Sequence, residues 1–340
     1  MLAAAFVLTV SAVQLGSASR SEPTRAYADI PHVQAVVAEA QLVPSPTPLP
    51  EAAPAPVPAP VPAVATGGHH RHRAHRSGRH GRRVSRGARR AVHRPVSRWR
   101  SSGGRDIGWP QCSGDLGFRG RHGRGQPMPD PGVRFVIVGL TNGRSLTPNP
   151  CLDRHLRWVR DHHVQAAAYS FGTFPTHAQL RRYRHGGPYD GRHRLGALAN
   201  AGHASARYNV RLLQQHGFVT PHVWIDVEPS SSRPWSRRTS WNRAVVRGWV
   251  RGYRDAGYSV GVYSTRGLWT HIVGRMRLRL PEWRTAGPVS PGSALRKCGG
   301  ESIQGGHAVI AQWWTAHRDF DRLCPGPSRS AIWGQYFHQW

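Results

Sequence analysis

The sequence predicts an α/β chain whose folded part is a (β/α) barrel of TIM type, running from residue 104 to residue 326. Three observations carry this. At Gly104 the composition changes from Pro- and Arg-rich to Trp, Tyr, Val and Ile mixed with Gly. About 220 residues then remain before the break Pro325-Gly326-Pro327, the size of one barrel domain. Within them, short apolar runs alternate with helical stretches, the pattern of a largely parallel sheet.

The apolar runs fall at 135–140, 164–171, 222–227, 259–263 and 308–313, and the clearest helical stretches at 152–161, 201–216 and 240–256. Gly217 and Gly257 stand where a C-terminal glycine ends two of these helices. A doubly wound open sheet fits the same alternation. No G-x-G-x-x-G turn follows the first strand and no phosphate loop is present, which argues against nucleotide binding.

The front of the chain reads differently. Residues 1–28 resemble a signal peptide: an apolar run from Met1 to Leu15, too short to span a bilayer, is followed by small residues, with an A-x-A pattern at Ala26-Tyr27-Ala28. No Lys or Arg precedes that run, a departure from the usual basic start. From 29 to 103 we expect disorder, first a Pro-rich spacer (VPSPTPLPEAAPAPVPAPVPAV), then an Arg/His-rich arm between His69 and Arg100 that contains no acid. Residues 327–340 are set off as a C-terminal tail.

Lys and Arg total 47 against 17 Asp and Glu, a formal charge of +30 that points to an anionic partner or environment. For the arm, a purely solvated, non-specific role comes first and adhesion to anionic envelope polymers second, ahead of nucleic acid or of metal binding through the clustered His69, His70, His72 and His75. Nucleic acid is not expected, since an exported chain never meets the genome and no nucleic-acid-binding signature stands behind the basic run. The four cysteines, Cys112, Cys151, Cys298 and Cys324, suit two disulfides in an oxidising compartment. Pairing Cys112 with Cys151 and Cys298 with Cys324 closes moderate loops, although three connectivities are open.

The chemistry concentrates at Asp226-Val227-Glu228-Pro229, which closes the apolar run 222–227. Acids at i and i+2 of a strand share a face, and active sites of parallel barrels are built at the C-terminal ends of the strands. Two neighbouring carboxyls can supply one protonated and one ionised group, the pair that glycoside hydrolysis requires. A surface D-x-E is common by itself, but few acids exist in this basic domain. Asp106 stands where a first strand would end, and Asp319 and Asp321 follow the last apolar run.

Taken in order, DIGWPQC, RFVIVGLTNGR, WIDVEP, GYSVGVYS and IAQWW followed by DFD resemble the family 25 glycoside hydrolases, the Chalaropsis-type lysozymes. The similarity is closer to the family-25-like domains of exported actinobacterial proteins, with their W-P-Q-C and N-P-C-L motifs. It implies an irregular (β/α)8 barrel that cleaves the link between N-acetylmuramic acid and N-acetylglucosamine in peptidoglycan. On this resemblance Glu228 matches the general acid, Asp226 its partner, Asp106 the first-strand aspartate and Asp321 the late one. The family is thought to retain configuration, with help from the substrate's acetamido group.

Two departures stand out. Gly139 and Asn142 lie where such lysozymes carry a Lys and a Glu, and Gly108 lies where Ser often follows the first aspartate. Trp109, Tyr169, Tyr263 and Trp313 are candidates for stacking on sugar rings, with Trp224 and Trp314 as further aromatics nearby. No metal-ligand spacing appears in the domain, and neither metal nor cofactor is expected. The expectation is a secreted or wall-associated glycosidase acting on peptidoglycan or a related glycan, with no stable transmembrane span. A barrel that binds glycan without cutting it is the rival.

Overall fold

The computed structural model describes residues 103–340 apart from 119–120, 231–232, 317 and 327–328. The signal-like segment, the Pro-rich spacer and the Arg/His-rich arm lie outside the described residues. The chain opens with β1 (Gly103–Ile107) and a short hairpin of β2 (Asp115–Phe118) and β3 (Arg121–His122). It continues with β4 (Phe135–Gly139), α1 (Leu152–Asp161), β5 (Gln165–Phe171), α2 (His177–Tyr183), α3 (Arg194–Gln215) and β6 (His222–Asp226). There follow α4 (Thr239–Asp255), β7 (Ser259–Ser264), α5 (Arg266–Val273), β8 (Glu282–Thr285), α6 (Pro291–Leu295), β9 (Ala308–Trp314) and β10 (Asp319–Leu323). The last elements are α7 (Arg329–Tyr336) and β11 (His338–Gln339).

Strands β1, β4, β5, β6, β7, β8 and β9 pair in parallel in that order, and the β5–β6 pairing completes the ring. β10 runs antiparallel between β9 and β1, so the eight-stranded barrel is closed and irregular. The irregularity has a local cause: β1 reaches β4 through the β2–β3 hairpin instead of a helix, and β9 turns directly into β10.

Every second strand residue faces each side, and two cores result. Val136, Val138, Ala166, Ala168, Val223, Ile225, Val260 and Val262 point outward against the helices. Phe135, Ile137, Ala167, Trp224, Tyr263, Trp283 and Ile310 point inward and fill the barrel. Helices α3 and α4 approach backbone to backbone, because a β-carbon added at Gly248 would collide with the Ala199 carbonyl and one at Gly202 with that of Val245. Gly217 and Gly257 both take positive φ just past α3 and α4, the left-handed stop expected of them. α3 begins seven positions earlier than its periodicity suggested, at Arg194.

The segment set off as a tail supplies part of the inner core. Tyr336 and Phe337 are buried there with Trp333 against them, and β11 pairs with the first residues of β5, below the point where β6 joins. The base of the barrel is thereby stoppered. Both disulfides take the expected pairing, Cys112–Cys151 and Cys298–Cys324. Among the described residues no helix is long and apolar enough to cross a membrane.

Candidate active site

On β6 the side chains of His222, Trp224 and Asp226 share the inward face, and Asp226 reaches it at the C-terminal end of the strand. Glu228, two residues on, continues the same side at the mouth, where it keeps partial exposure. Asp106 comes in from β1 and pairs in register with Ile137 of β4. Because β10 runs opposite to its neighbours, its first residue, Asp319, stands at the same mouth, with Asp321 one layer deeper and fully buried. The structure thus brings Asp106, Asp226, Glu228 and Asp321 to one end of the barrel interior, and adds Asp319.

The hydrogen bonds knit this layer. Tyr263 Oη donates to Gln312 Oε1 at 2.6 Å, and Gln312 Nε2 donates to Asp106 Oδ1 at 2.9 Å. Trp283 Nε1 donates to Asp321 Oδ1 at 2.8 Å, and Asp321 also shares a hydrogen bond with Asp106. Asp226 Oδ1 is buried without a hydrogen-bond partner in the protein. Leaving a buried polar atom unpaired costs about 1–3 kcal/mol.

Burial and like charge act in one direction here. Burial, then the charges of Asp319 and Asp106, pushes the Glu228 carboxyl up to about 8. Burial, followed by Glu228 and Asp106, raises Asp226 well above the usual carboxylate range. Asp321 is raised likewise by burial and by Asp106, and burial lifts Asp319 to about 7 against the opposing pull of Arg105. Glu228 therefore holds its proton at neutral pH, the state a general acid needs. The sequence reading preferred Asp321 to Asp319, yet Asp319 is the charge that acts most on Glu228. The D-F-D spacing puts both acids on one face but does not say which of them stands at the mouth.

The aromatic candidates divide. Tyr169 and Tyr263 line the acid layer, and each phenol is raised by burial and then by the surrounding carboxylates. Trp109 sits in the turn after β1 with the Arg124 guanidinium 5.0 Å from its ring centroid. Trp313 lies on the other side of β9 from the inward-facing Gln312 and stacks on Phe320 at 5.4 Å, away from the acids. Trp224 is fully buried in the barrel.

The departures at Gly108 and Gly139 have one physical explanation. A β-carbon at Gly108 would stand 2.8 Å from the Tyr169 hydroxyl oxygen, and one at Gly139 would stand 2.9 Å from three atoms of the same ring and hydroxyl. The tyrosine occupies the space that side chains at those two positions would need. Asn142 is fully buried. Cys112, Cys151 and His155 cluster with metal-like spacing, but both sulfurs are committed to a disulfide. Burial pushes His155 down to about 4, so its ring is neutral.

Residues 198–283, from α3 to β8 and including Asp226 and Glu228, match the family model described as Lysozyme-like protein 1. No curated protein matches the chain by sequence. Among solved structures the chain is similar to a muramidase from Acremonium alcalophilum, at 16% identity over 68% of this chain and 98% of that one, TM-score 0.44. It is also similar to the bacterial lysozyme from Streptomyces coelicolor, at 14% identity over 69% and 97%, TM-score 0.46. A third is a family GH25 lysozyme from Aspergillus fumigatus, at 15% identity over 69% and 98%, TM-score 0.44. The chain carries a barrel that contains a lysozyme-like segment and resembles the family 25 glycoside hydrolases in its motifs.

Proposed function

We propose that this protein is an exported glycoside hydrolase that cleaves peptidoglycan glycan strands by carboxyl acid catalysis, with Glu228 as the acid. What supports the reading is the clustering of Glu228 with Asp226, Asp106, Asp319 and Asp321 at one end of the barrel interior, where burial and like charge push Glu228 up to about 8. In the proposed step Glu228 gives its proton to the glycosidic oxygen as the bond to the anomeric carbon breaks, and water completes the hydrolysis. Asp226 and Asp319 face the sugar beside it, while Asp106 and Asp321 hold the layer beneath through Gln312 and Trp283. Tyr169 and Tyr263 supply ring surface for the sugar. The cationic arm between His69 and Arg100 would hold the enzyme near anionic envelope polymers, and the two disulfides suit an oxidising destination.

A second reading is a barrel that binds glycan without cutting it, favoured by the tyrosine that covers Gly108 and Gly139. Release of reducing ends from purified peptidoglycan separates the two. The wild type should cleave, and Glu228→Gln should cleave at least 10²-fold more slowly while binding the same material. A folded wild type that binds but never cleaves would establish the second reading, and equal cleavage by Glu228→Gln would remove Glu228 from the acid role.

A further inference from the structure

From a concavity of about 260 Å³ between α2 and the start of α3, we infer a binding site for a phosphate group, separate from the acid layer. Its walls carry Arg181, Arg184, Arg192 and Arg194, with His177 at one edge. Its floor is apolar, formed by the buried side chains of Leu180 and Ala197.

A solvated basic surface would spread its charges and balance them with acids. Here the nearby acid is Asp190, and it is spent on Arg192 at 3.1 Å and on His193 at 3.5 Å. Arg181 has no acidic partner among the described residues. Two of the guanidinium groups are also oriented in advance. Arg184 donates Nε and Nη2 to the Gly191 carbonyl at 3.1 and 3.0 Å, which fixes its plane. Arg194 lies 4.5 Å over the Trp241 ring, so its face is satisfied by the indole and its in-plane N–H groups remain for an oxyanion. The Nε and Nη2 groups of Arg184 and Arg192 are committed to Gly191 and Asp190, so Arg181 and Arg194 are the residues whose in-plane N–H groups would take an oxyanion over the apolar floor.

The topology fixes where this lies. α2 begins shortly after β5 ends, and α3 runs back toward the start of β6, so the facing ends of both helices belong to the barrel end that carries Asp226 and Glu228. A phosphate-bearing chain held there would lie across the same face as the carboxyl layer without entering it. The inference does not depend on the glycosidase reading, since it needs neither Glu228 nor cleavage.

The test uses the full chain labelled with ¹⁵N-arginine, with inorganic phosphate titrated against chloride at equal ionic strength. The Nε–Hε resonances of Arg181 and Arg194 are assigned from Arg181→Gln and Arg194→Gln. Both should shift saturably with phosphate, and the double variant should bind at least tenfold more weakly while keeping the wild-type thermal midpoint. A parallel titration with a glycerol phosphate oligomer distinguishes sources. Response to both probes assigns the phosphate group itself, and response to the oligomer alone assigns a phosphodiester chain. If neither probe moves these two resonances, or if the double variant binds as tightly as the wild type, the pocket is not a phosphate site. Should the double variant lose its thermal transition, the same comparison is read from the two single variants.

Discussion

The two ends of β6 are equally buried and chemically opposite. At the base, His222 sits against Trp224 and Tyr336, its Nδ1 paired with Ser259 Oγ at 2.8 Å, and burial pushes it down to about 3. At the mouth, Asp226 is pushed up by burial and then by Glu228 and Asp106. Burial alone makes both groups neutral. Only the mouth adds like charge, and there Glu228 keeps partial exposure, whereas Tyr336 and Phe337 pack into the base. Desolvation therefore does not distinguish a site from a core. The convergence of several acids around a partly exposed carboxyl does.

The strongest break in this comparison is substitution at either end. Glu228→Gln should cost 10² to 10⁴ in peptidoglycan cleavage, about 2.7–5.5 kcal/mol of barrier, with no loss in the thermal midpoint. Phe337→Ala at the base should do the reverse, removing about 3–5 kcal/mol of stability in denaturant titrations and leaving the shape of the pH–rate profile intact. If Phe337→Ala moves the alkaline limb of that profile, the two ends are not independent.

Stability against pH sharpens the contrast. The unfolded Glu228 ionises near 4.5 and the folded one at about 8, so unfolding releases a proton between those values. Its contribution is present below pH 4.5 and is lost as pH rises to about 8. His222 works in the other sense: unfolded near 6.5 and folded at about 3, it contributes above pH 6.5 and that contribution is lost as pH falls to about 3. Glu282 adds to the acid limb, because despite burial its hydrogen bonds from Gln304, Ser302 and Ile303 hold it below the usual range. The thermal midpoint should peak between these flanks. Glu228→Gln should flatten the alkaline flank, and His222→Gln the acid one, each measured by melting across pH 4 to 9. Unchanged flanks in both variants would show that burial at these two positions is not what sets them.

The smallest effect concerns Tyr169. Gly139→Ala must push the ring aside and should cost about 1–3 kcal/mol, while in a Tyr169→Ala background the same change should cost much less. Additive costs would mean that the ring is not what excludes a side chain at 139.

What the sequence displayed, and what it hid, follows from the same physics. β4 and β6 are continuous apolar runs because both their faces are covered, and the acids at the end of β6 stood out against such a background. β8 was hidden, because Glu-Trp-Arg-Thr reads as surface while Glu282 and Arg284 are in fact buried partners at 2.8 Å. The early turns of α3 were missed where Gly196 and a run of alanines blur the period. Pro325-Gly326-Pro327 punctuates the local chain path, and such a signal does not report whether the chain returns to the core. At the site, Asp106, Asp226 and Glu228 were readable from their positions at strand ends. That Asp319 stands nearer the mouth than Asp321 was not, because it depends on β10 running antiparallel.

The stopper at the base also sets an order of events. Gln165 of β5 is bonded to Gln339 across 174 positions of chain, at 2.6 Å. During synthesis β5 and its neighbours therefore emerge long before the residues that fill the space beneath them. Until Tyr336 and Phe337 arrive, the nascent barrel presents an aromatic-lined hole around Phe135 and Trp224. Contacts of such long range delay completion of a fold and leave apolar surface open meanwhile. Residues 333–339 act as the latch of the barrel, and a nascent copy in which they have not yet docked is the form most exposed to chaperones and proteases.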